Sequence, residues 1–434
     1  MTVAFHTLGC KVNQYDSEAM QELLLSDGYE IVNFFGDADV YILNTCTVTS
    51  TGDKKSMQLA RRIKREHPKS LLVLCGCLAQ KKGNSLLQET GADLVLGTQE
   101  RGRLPELISR LKADRTPFCA VSPLLPNMPF EPLNISRVSG HTRAYVKIQE
   151  GCNNHCSYCI IPSVRGPVRS RSLEDLKNEV IRLRDEGFAE IVLTGIHLAS
   201  YGYEDSPRQK KLLDAIRVVH SVDGIQRIRL GSLEPLVATE EFCQALKELP
   251  KVCPQFHLAL QSGSDTVLAR MKRRYNTSQY LEAAHRLRTV FPHAAFTTDI
   301  LTGFPGETDH EFEETCNMIK RMNYARIHVF PYSPREDTAA ALMSGQLTTA
   351  EKERRCRKLI ALGNATAREY LRTWLGHSAF FLPEEKNKGC WEGYTPEYIR
   401  VTLPPEAICQ SGKMVLVCLN GLTDSGMAGS IIQE

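Results

Sequence analysis

The stretch AYVKIQEGCNNHCSYCIIP, residues 144–162, runs an apolar β pattern directly into three cysteines. Residues 144–149 read as a strand, so Cys152, Cys156 and Cys159 stand at its carboxyl end. The same strand pattern returns downstream as EIVLTG (190–195), RIRLGS (227–232), FHLALQ (256–261), FTTDILTG (296–303) and RIHVFPY (326–332). Helical patterns such as Leu173–Glu186 and Thr277–Val290 lie between them. Alternation of this kind predicts a full or partial α/β barrel over 139–370, whose site residues gather at the carboxyl ends of the strands.

Working outward, residues 1–115 show VAFHTL (3–8), VYILN (40–44), LLVL (71–74) and LVLG (94–97) as strands. An amphipathic helix around Ser17–Leu25 and a basic helix near Lys54–Glu66 separate them. This predicts a doubly wound parallel sheet. Residues 116–138 carry Pro123, Pro126, Pro129 and Pro132 and read as an extended connector. Over 371–434, SAFFLPE, YIRVTL and KMVLVCL read as short strands of a small all-β module, OB-like in character. The fold class is α/β, with three such units in series.

The composition is that of a globular protein: 434 residues, 42% hydrophobic and 24% charged, with a net charge of +3. That charge is compatible with an RNA partner and is weak evidence by itself. MTVAFHTLGC at the start lacks the pattern of a secretory signal, and no apolar run approaches the ~18 residues of a membrane span. A reducing cytoplasm is the expected location, where cysteines serve metals or catalysis more often than disulfides.

Three thiolates can hold three irons of a 4Fe–4S cube and leave the fourth open to a chelating cofactor. The x3-x2 spacing, with Tyr158 before the last cysteine, resembles that of enzymes that open S-adenosylmethionine to a radical at this iron. A zinc site using His155 is the alternative, and the spacing weighs against it. Cys10, Cys46 and Cys77 each follow a predicted parallel strand, so a doubly wound sheet would bring them to one crevice. Buried structural cysteine is the ordinary fate of a single such residue, but three repeats of the position favour a second cluster. Spacing alone leaves Cys75 in competition with Cys77. The other cysteines are scattered and read as structural.

Gly195, Glu234, Gln261 and Asp299 fall at predicted strand ends, where they can meet a cofactor or substrate. Turn geometry for the glycine and plain solvation for the others are the competing readings. Three basic segments, 61–69, 164–171 and 271–275, are candidates for RNA phosphates. The first reads better as a solvated helix face, and the second, beside the cysteine loop, reads best as an RNA or cofactor contact.

TLGCKVNQYDSE (7–18), NTCTV (44–48), GCLAQ (76–80), GCNNHCSYCIIPSVRG (151–166), LTGIHLASYG (193–202), LGSLEP (230–235), LALQSGSDTVLARMKRRY (258–275) and TDILTGFPGET (298–308) together resemble the methylthiotransferases. The GCKVNQYDSE form is similar to the branch acting on tRNA N6-threonylcarbamoyladenosine. The resemblance implies an N-terminal cluster domain, a radical S-adenosylmethionine domain and a C-terminal TRAM module. It implies two 4Fe–4S clusters, on Cys10, Cys46 and Cys77 (thus favouring Cys77 over Cys75) and on Cys152, Cys156 and Cys159, with S-adenosylmethionine as cosubstrate. It implies addition of a methylthio group to C2 of the modified adenosine beside the anticodon. A reductant such as flavodoxin or ferredoxin and a sulfur source would be partners. Alternatives are another modified adenosine, a ribosomal protein, or a non-enzymatic RNA-binding iron–sulfur role. The TRAM-like tail departs from a basic pattern. From Leu371 on, five Lys/Arg face seven Asp/Glu, a poor phosphate clamp, and Trp391, Tyr394 and Tyr398 are expected to pack rather than to stack on a base.

Overall fold

The computed structural model describes residues 1–135, 142–204 and 211–432. Apolar β-branched and leucine runs build the first layer. The parallel sheet has the spatial order Glu30–Val32, Thr2–Thr7, Val40–Thr45, Leu71–Gly76, Leu94–Leu96, Phe118–Ala120. Val40–Thr45 is buried along its whole length, as a central parallel strand must be when helices cover both faces. Lys11–Ser26 and Leu104–Asp114 pack on one face through Met20, Leu24, Leu107 and Ile108. Ser50–Glu66 and Ser85–Thr90 pack on the other through Ala60, Ile63 and Leu86. The strand order reverses between Thr2–Thr7 and Val40–Thr45, which opens a crevice at their carboxyl ends.

Two departures from the sequence reading concern this layer. The first helix starts at Lys11, directly after Cys10, and not near Ser17. Its polar first turn finds partners inside the protein: the Asn13 amide donates to the Leu8 and Thr45 carbonyls at 2.8 and 3.1 Å. The stretch read as a proline-rich connector begins with a strand, because Phe118–Ala120 pairs in parallel with Leu94–Leu96 before the first of those prolines. The expected boundary at 138/139 lies outside the described residues.

The central unit is a partial barrel. Arg143–Glu150, Glu190–Gly195 and Arg227–Leu230 pair in parallel, as do Ser232–Leu233, Gln255–Leu258, Ala295–Thr302 and Arg326–Pro331. The stretch 227–233 is one strand broken at Gly231, its first half bonded to one arc and its second to the other. The 24-residue helix Thr349–Arg372 then runs down the outside. Its Arg355 holds Glu307 at the carboxyl end, and Tyr370 donates to the His293 carbonyl at the amino end. No helix among the described residues is long and apolar enough to cross a membrane.

The chain closes with a five-stranded barrel in the order Ser378–Asn387, Cys390–Tyr394, Arg400–Thr402, Met427–Ile431, Val415–Leu422. It caps the amino ends of the central strands. Arg227 donates to the Tyr394 and Phe380 carbonyls, and Arg229 to the Pro396 carbonyl at 2.9 Å, while both guanidiniums face the buried Glu190. The Tyr394 and Tyr398 rings stack at 4.5 Å, and Arg143 lies over both, so these aromatics pack as expected. Removing one partner of a buried ion pair strands the other. Arg229→Met is expected to lower stability by about 3 kcal/mol, seen as a lower unfolding midpoint of the cofactor-free protein and as earlier proteolysis near residues 373–377.

Candidate active site

Cys10, Cys46 and Cys77 all leave the N-terminal sheet at strand carboxyl ends: Cys10 and Cys46 just past Thr7 and Thr45, and Cys77 as the first residue of helix Cys77–Lys82. The three are near enough that charge on one is felt by the others. Gly9 makes this possible. Its φ is +120°, and a Cβ there would stand 3.0 Å from the Cys46 Cβ. Cys75 is fully buried within the strand, its thiol 3.6 Å from the Leu43 carbonyl, and belongs to the core.

Cys152, Cys156 and Cys159 follow the first barrel strand in the same manner. Gly151 precedes them at φ +72°, with the Pro167 carbonyl 1.9 Å from where a Cβ would sit, so only glycine makes this turn. The Asn154 amide points at the Cys152 Sγ from 3.4 Å. Burial pushes the Cys77 and Cys159 thiols up to about 11 and about 12, and iron must displace those protons to bind. Each triad also has one guanidinium against a sulfur. Arg165 Nε is 3.1 Å from Cys77 Sγ, and Arg273 Nη1 is 3.2 Å from Cys156 Sγ. Fixed cations of this kind suit an anionic iron–sulfur body. Among the described residues no three His, Cys, Asp or Glu side chains are arranged to hold a metal ion. Three thiols in each set match in kind and number what a 4Fe–4S cluster with one open iron takes from a protein.

The remaining expected site residues lie around the second triad. Glu234 accepts from Arg273 at 3.2 Å and stands 3.3 Å from His197 Nε2. Burial would raise its carboxyl, but His197, Arg273 and Arg274 outweigh this and hold it below the usual range. Gln261 adopts φ +66°, uncommon for its type, and accepts from the Tyr158 hydroxyl at 3.0 Å, two residues after Cys156. Asp299 is partly exposed on the inner side of its strand, 3.5 Å from His257 Nε2. Gly195 packs against Gln149, whose Cβ would be 2.9 Å from a substituent, so close strand approach explains it. Asn153, Asn154, His197, Ser200, Glu234 and Phe242 line a cavity of about 400 Å³ beside the triad.

Sequence reasoning missed the seam between the two units. Arg165 Nη1 lies 3.0 Å from Asp16 and 3.1 Å from Glu150, and Nη2 donates to Asn13. Lys147 joins Asp16 at 2.5 Å and Glu150 at 3.2 Å, and Arg101 joins Asp16 at 3.0 Å and Glu131 at 2.7 Å. Asp16, Arg101, Lys147, Glu150 and Arg165 are at most 4% exposed. The segment 164–171, expected to face RNA or cofactor, is internal and offers no surface to RNA, while its Arg165 lies against the Cys77 sulfur. Arg165, Arg169 and Arg171 are all buried, and Arg171 is occupied by Asp175 and Glu179. The segment 61–69 is mostly an exposed helix face, as expected.

A family model described as the radical SAM superfamily matches residues 146–319, and one described as uncharacterized protein family UPF0004 matches 2–97. The chain is 42% identical over 407 residues to the threonylcarbamoyladenosine tRNA methylthiotransferase MtaB of Bacillus subtilis, covering 92% of this chain and 90% of that one. The chain belongs to the radical S-adenosylmethionine methylthiotransferases of MtaB type. It is also 37% identical over 385 residues, 86% of this chain and 72% of the relative, to a tRNA-2-methylthio-N(6)-dimethylallyladenosine synthase of Mycobacterium ulcerans. Among solved structures it shares its fold with the radical S-adenosylmethionine methyltransferase TsrM of Kitasatospora setae. The TM-score is 0.59 at 14% identity, over 79% of this chain and 77% of that one.

In this methylthiotransferase, burial would raise the Asp16 carboxyl, but Arg101, Lys147 and Arg165 overcome it and hold the group far below its usual range. A depressed folded value gives stability that is complete above the unfolded value near ~4 and is lost as pH falls below it. Asp16→Asn is expected to cost about 3–5 kcal/mol at pH 7. It should also flatten the decline of the urea midpoint of the cofactor-free protein below about pH 4.

Proposed function

We propose that this enzyme adds a methylthio group to C2 of N6-threonylcarbamoyladenosine in tRNA, beside the anticodon. The observation that carries the reading is the pair of cysteine triads at strand carboxyl ends, in a chain 42% identical to a protein named for this reaction. Cys10, Cys46 and Cys77 would hold one 4Fe–4S cluster, and Cys152, Cys156 and Cys159 the other. When bound, the clusters and S-adenosylmethionine supply the homolytic and sulfur chemistry that no side chain can.

The chain's own groups do the rest. Arg165 and Arg273 offset negative charge at the two sulfur sets, and Glu234, held by His197 and Arg273, presents a fixed carboxylate to the cavity. Gln261 and Tyr158 brace the loop that carries Cys156 and Cys159. Glu234, Gln261 and Asp299 are proposed to shape the cofactor site, with Gly195 acting there only by letting its strand close on Gln149. A one-electron donor such as flavodoxin or ferredoxin and a sulfur source complete the reaction, which takes place in the cytoplasm with its tRNA.

Nucleoside mass spectrometry of tRNA from cells lacking the protein is expected to show N6-threonylcarbamoyladenosine without its methylthio form. Loss of the methylthio form of dimethylallyladenosine alone would overturn the substrate. Anaerobically reconstituted protein should bind about eight irons, and Ala at either whole triad about four. Retention of about eight by the Cys10/Cys46/Cys77→Ala variant would overturn the assignment of the first set.

A further inference from the structure

Lys11 follows Cys10 at the start of helix Lys11–Ser26 and is exposed to solvent. It nevertheless reaches into the central barrel. Its ammonium lies 5.5 Å from the centre of the Tyr145 ring on the first strand, and its charge is felt by His328 on the last. Arg143, Arg229 and Glu190 are its electrostatic neighbours. Lys11 therefore stands where the first helix of the N-terminal unit meets the first strand of the barrel. Tyr145, His257, Asp299 and His328 are all partly exposed on strands of the barrel, His257 lying 3.5 Å from Asp299 and 6.3 Å, ring to ring, from His328.

Arg143 and Arg229, the two cations that act on it, are committed, as is Lys147 in the same strand as Tyr145. Arg229 holds Glu190 at 2.9 Å, Arg143 holds Glu384 at 3.1 Å, and Lys147 holds Asp16. Among the described residues Lys11 forms no ion pair, and its ammonium lies over the face of Tyr145. Glu190 acts on Lys11 from a distance but no carboxylate pairs with it, so a ligand that brings one gains a charge-assisted contact there. The threonyl part of a threonylcarbamoyl group ends in a carboxylate, and a dimethylallyl group is hydrocarbon. We infer that Lys11 is a specificity-determining residue that pairs with the carboxylate of the substrate's N6 substituent. The inference rests on the substrate reading above.

The test compares anticodon stem-loops carrying N6-threonylcarbamoyladenosine with the same stem-loops carrying its neutral methyl ester. Reconstituted wild-type enzyme is expected to favour the acid by about 10- to 100-fold in kcat/KM. Lys11→Met should bring that ratio close to one, and Lys11→Arg should keep most of it. Because Lys11 adjoins a cysteine, affinities for the two stem-loops are also measured by fluorescence anisotropy on the iron-free protein, where the same collapse is expected. An acid preference that survives in Lys11→Met, or is absent in the wild type, overturns the inference while the substrate reading stands. Wild-type activity on a dimethylallyl stem-loop and on neither of these forms overturns both.

Discussion

Asp16 and Glu150 cannot be buried as anions without cations, and Arg101, Lys147 and Arg165 cannot be buried without anions. That mutual requirement fixes the enzyme's geometry. Asp16 and Arg101 come from the N-terminal unit, and Lys147, Glu150 and Arg165 from the barrel and its first loop. Each pair gains little net energy once desolvation is counted, but a misplaced partner leaves an exposed cost of several kcal/mol. The seam thus acts through specificity of placement. It sets Glu150, two residues before Cys152, against the helix that begins one residue after Cys10. Arg165 extends the same lattice to Cys77.

A second, smaller set of charges works at the opposite end. Glu190 anchors Arg227 and Arg229, and these carry backbone carbonyls of the C-terminal barrel. Both ends of the central unit are closed by charge, with an apolar core of leucine, isoleucine and valine between them. Two further ties join the N-terminal unit to the loop after the last barrel strand. Arg335 holds Thr47 and Asp53, and Ser50 bonds Ser333. The crevice with the first cysteines is thereby held against the barrel from two sides.

The strands of both large units were legible because parallel strands demand apolar runs, and these stand out in the sequence. The six cysteines were legible because each stands just past such a run. Three-residue edge strands, Glu30–Val32 and Phe118–Ala120, were not, since so few residues carry no period. Cys390–Tyr394 and Met427–Ile431 were hidden by Gly393 and Gly429, which sit where the small barrel's strands crowd one another. The buried charges were illegible for a different reason. Arg165 and Arg171 look like RNA-facing residues until their carboxylates, Asp16 of the N-terminal unit and Glu179 of the next helix, are seen in space. Lys11 was passed over because the helix it opens seemed to start later.

The helix Thr349–Arg372 has one more consequence. At 1.5 Å per residue its 24 residues measure roughly 36 Å, from the cysteine end of the barrel to the small β module. It works as a ruler. A ligand that engages the reaction centre and the terminal module together must span that length, which a folded RNA with a double-helical stem does and a free nucleoside does not.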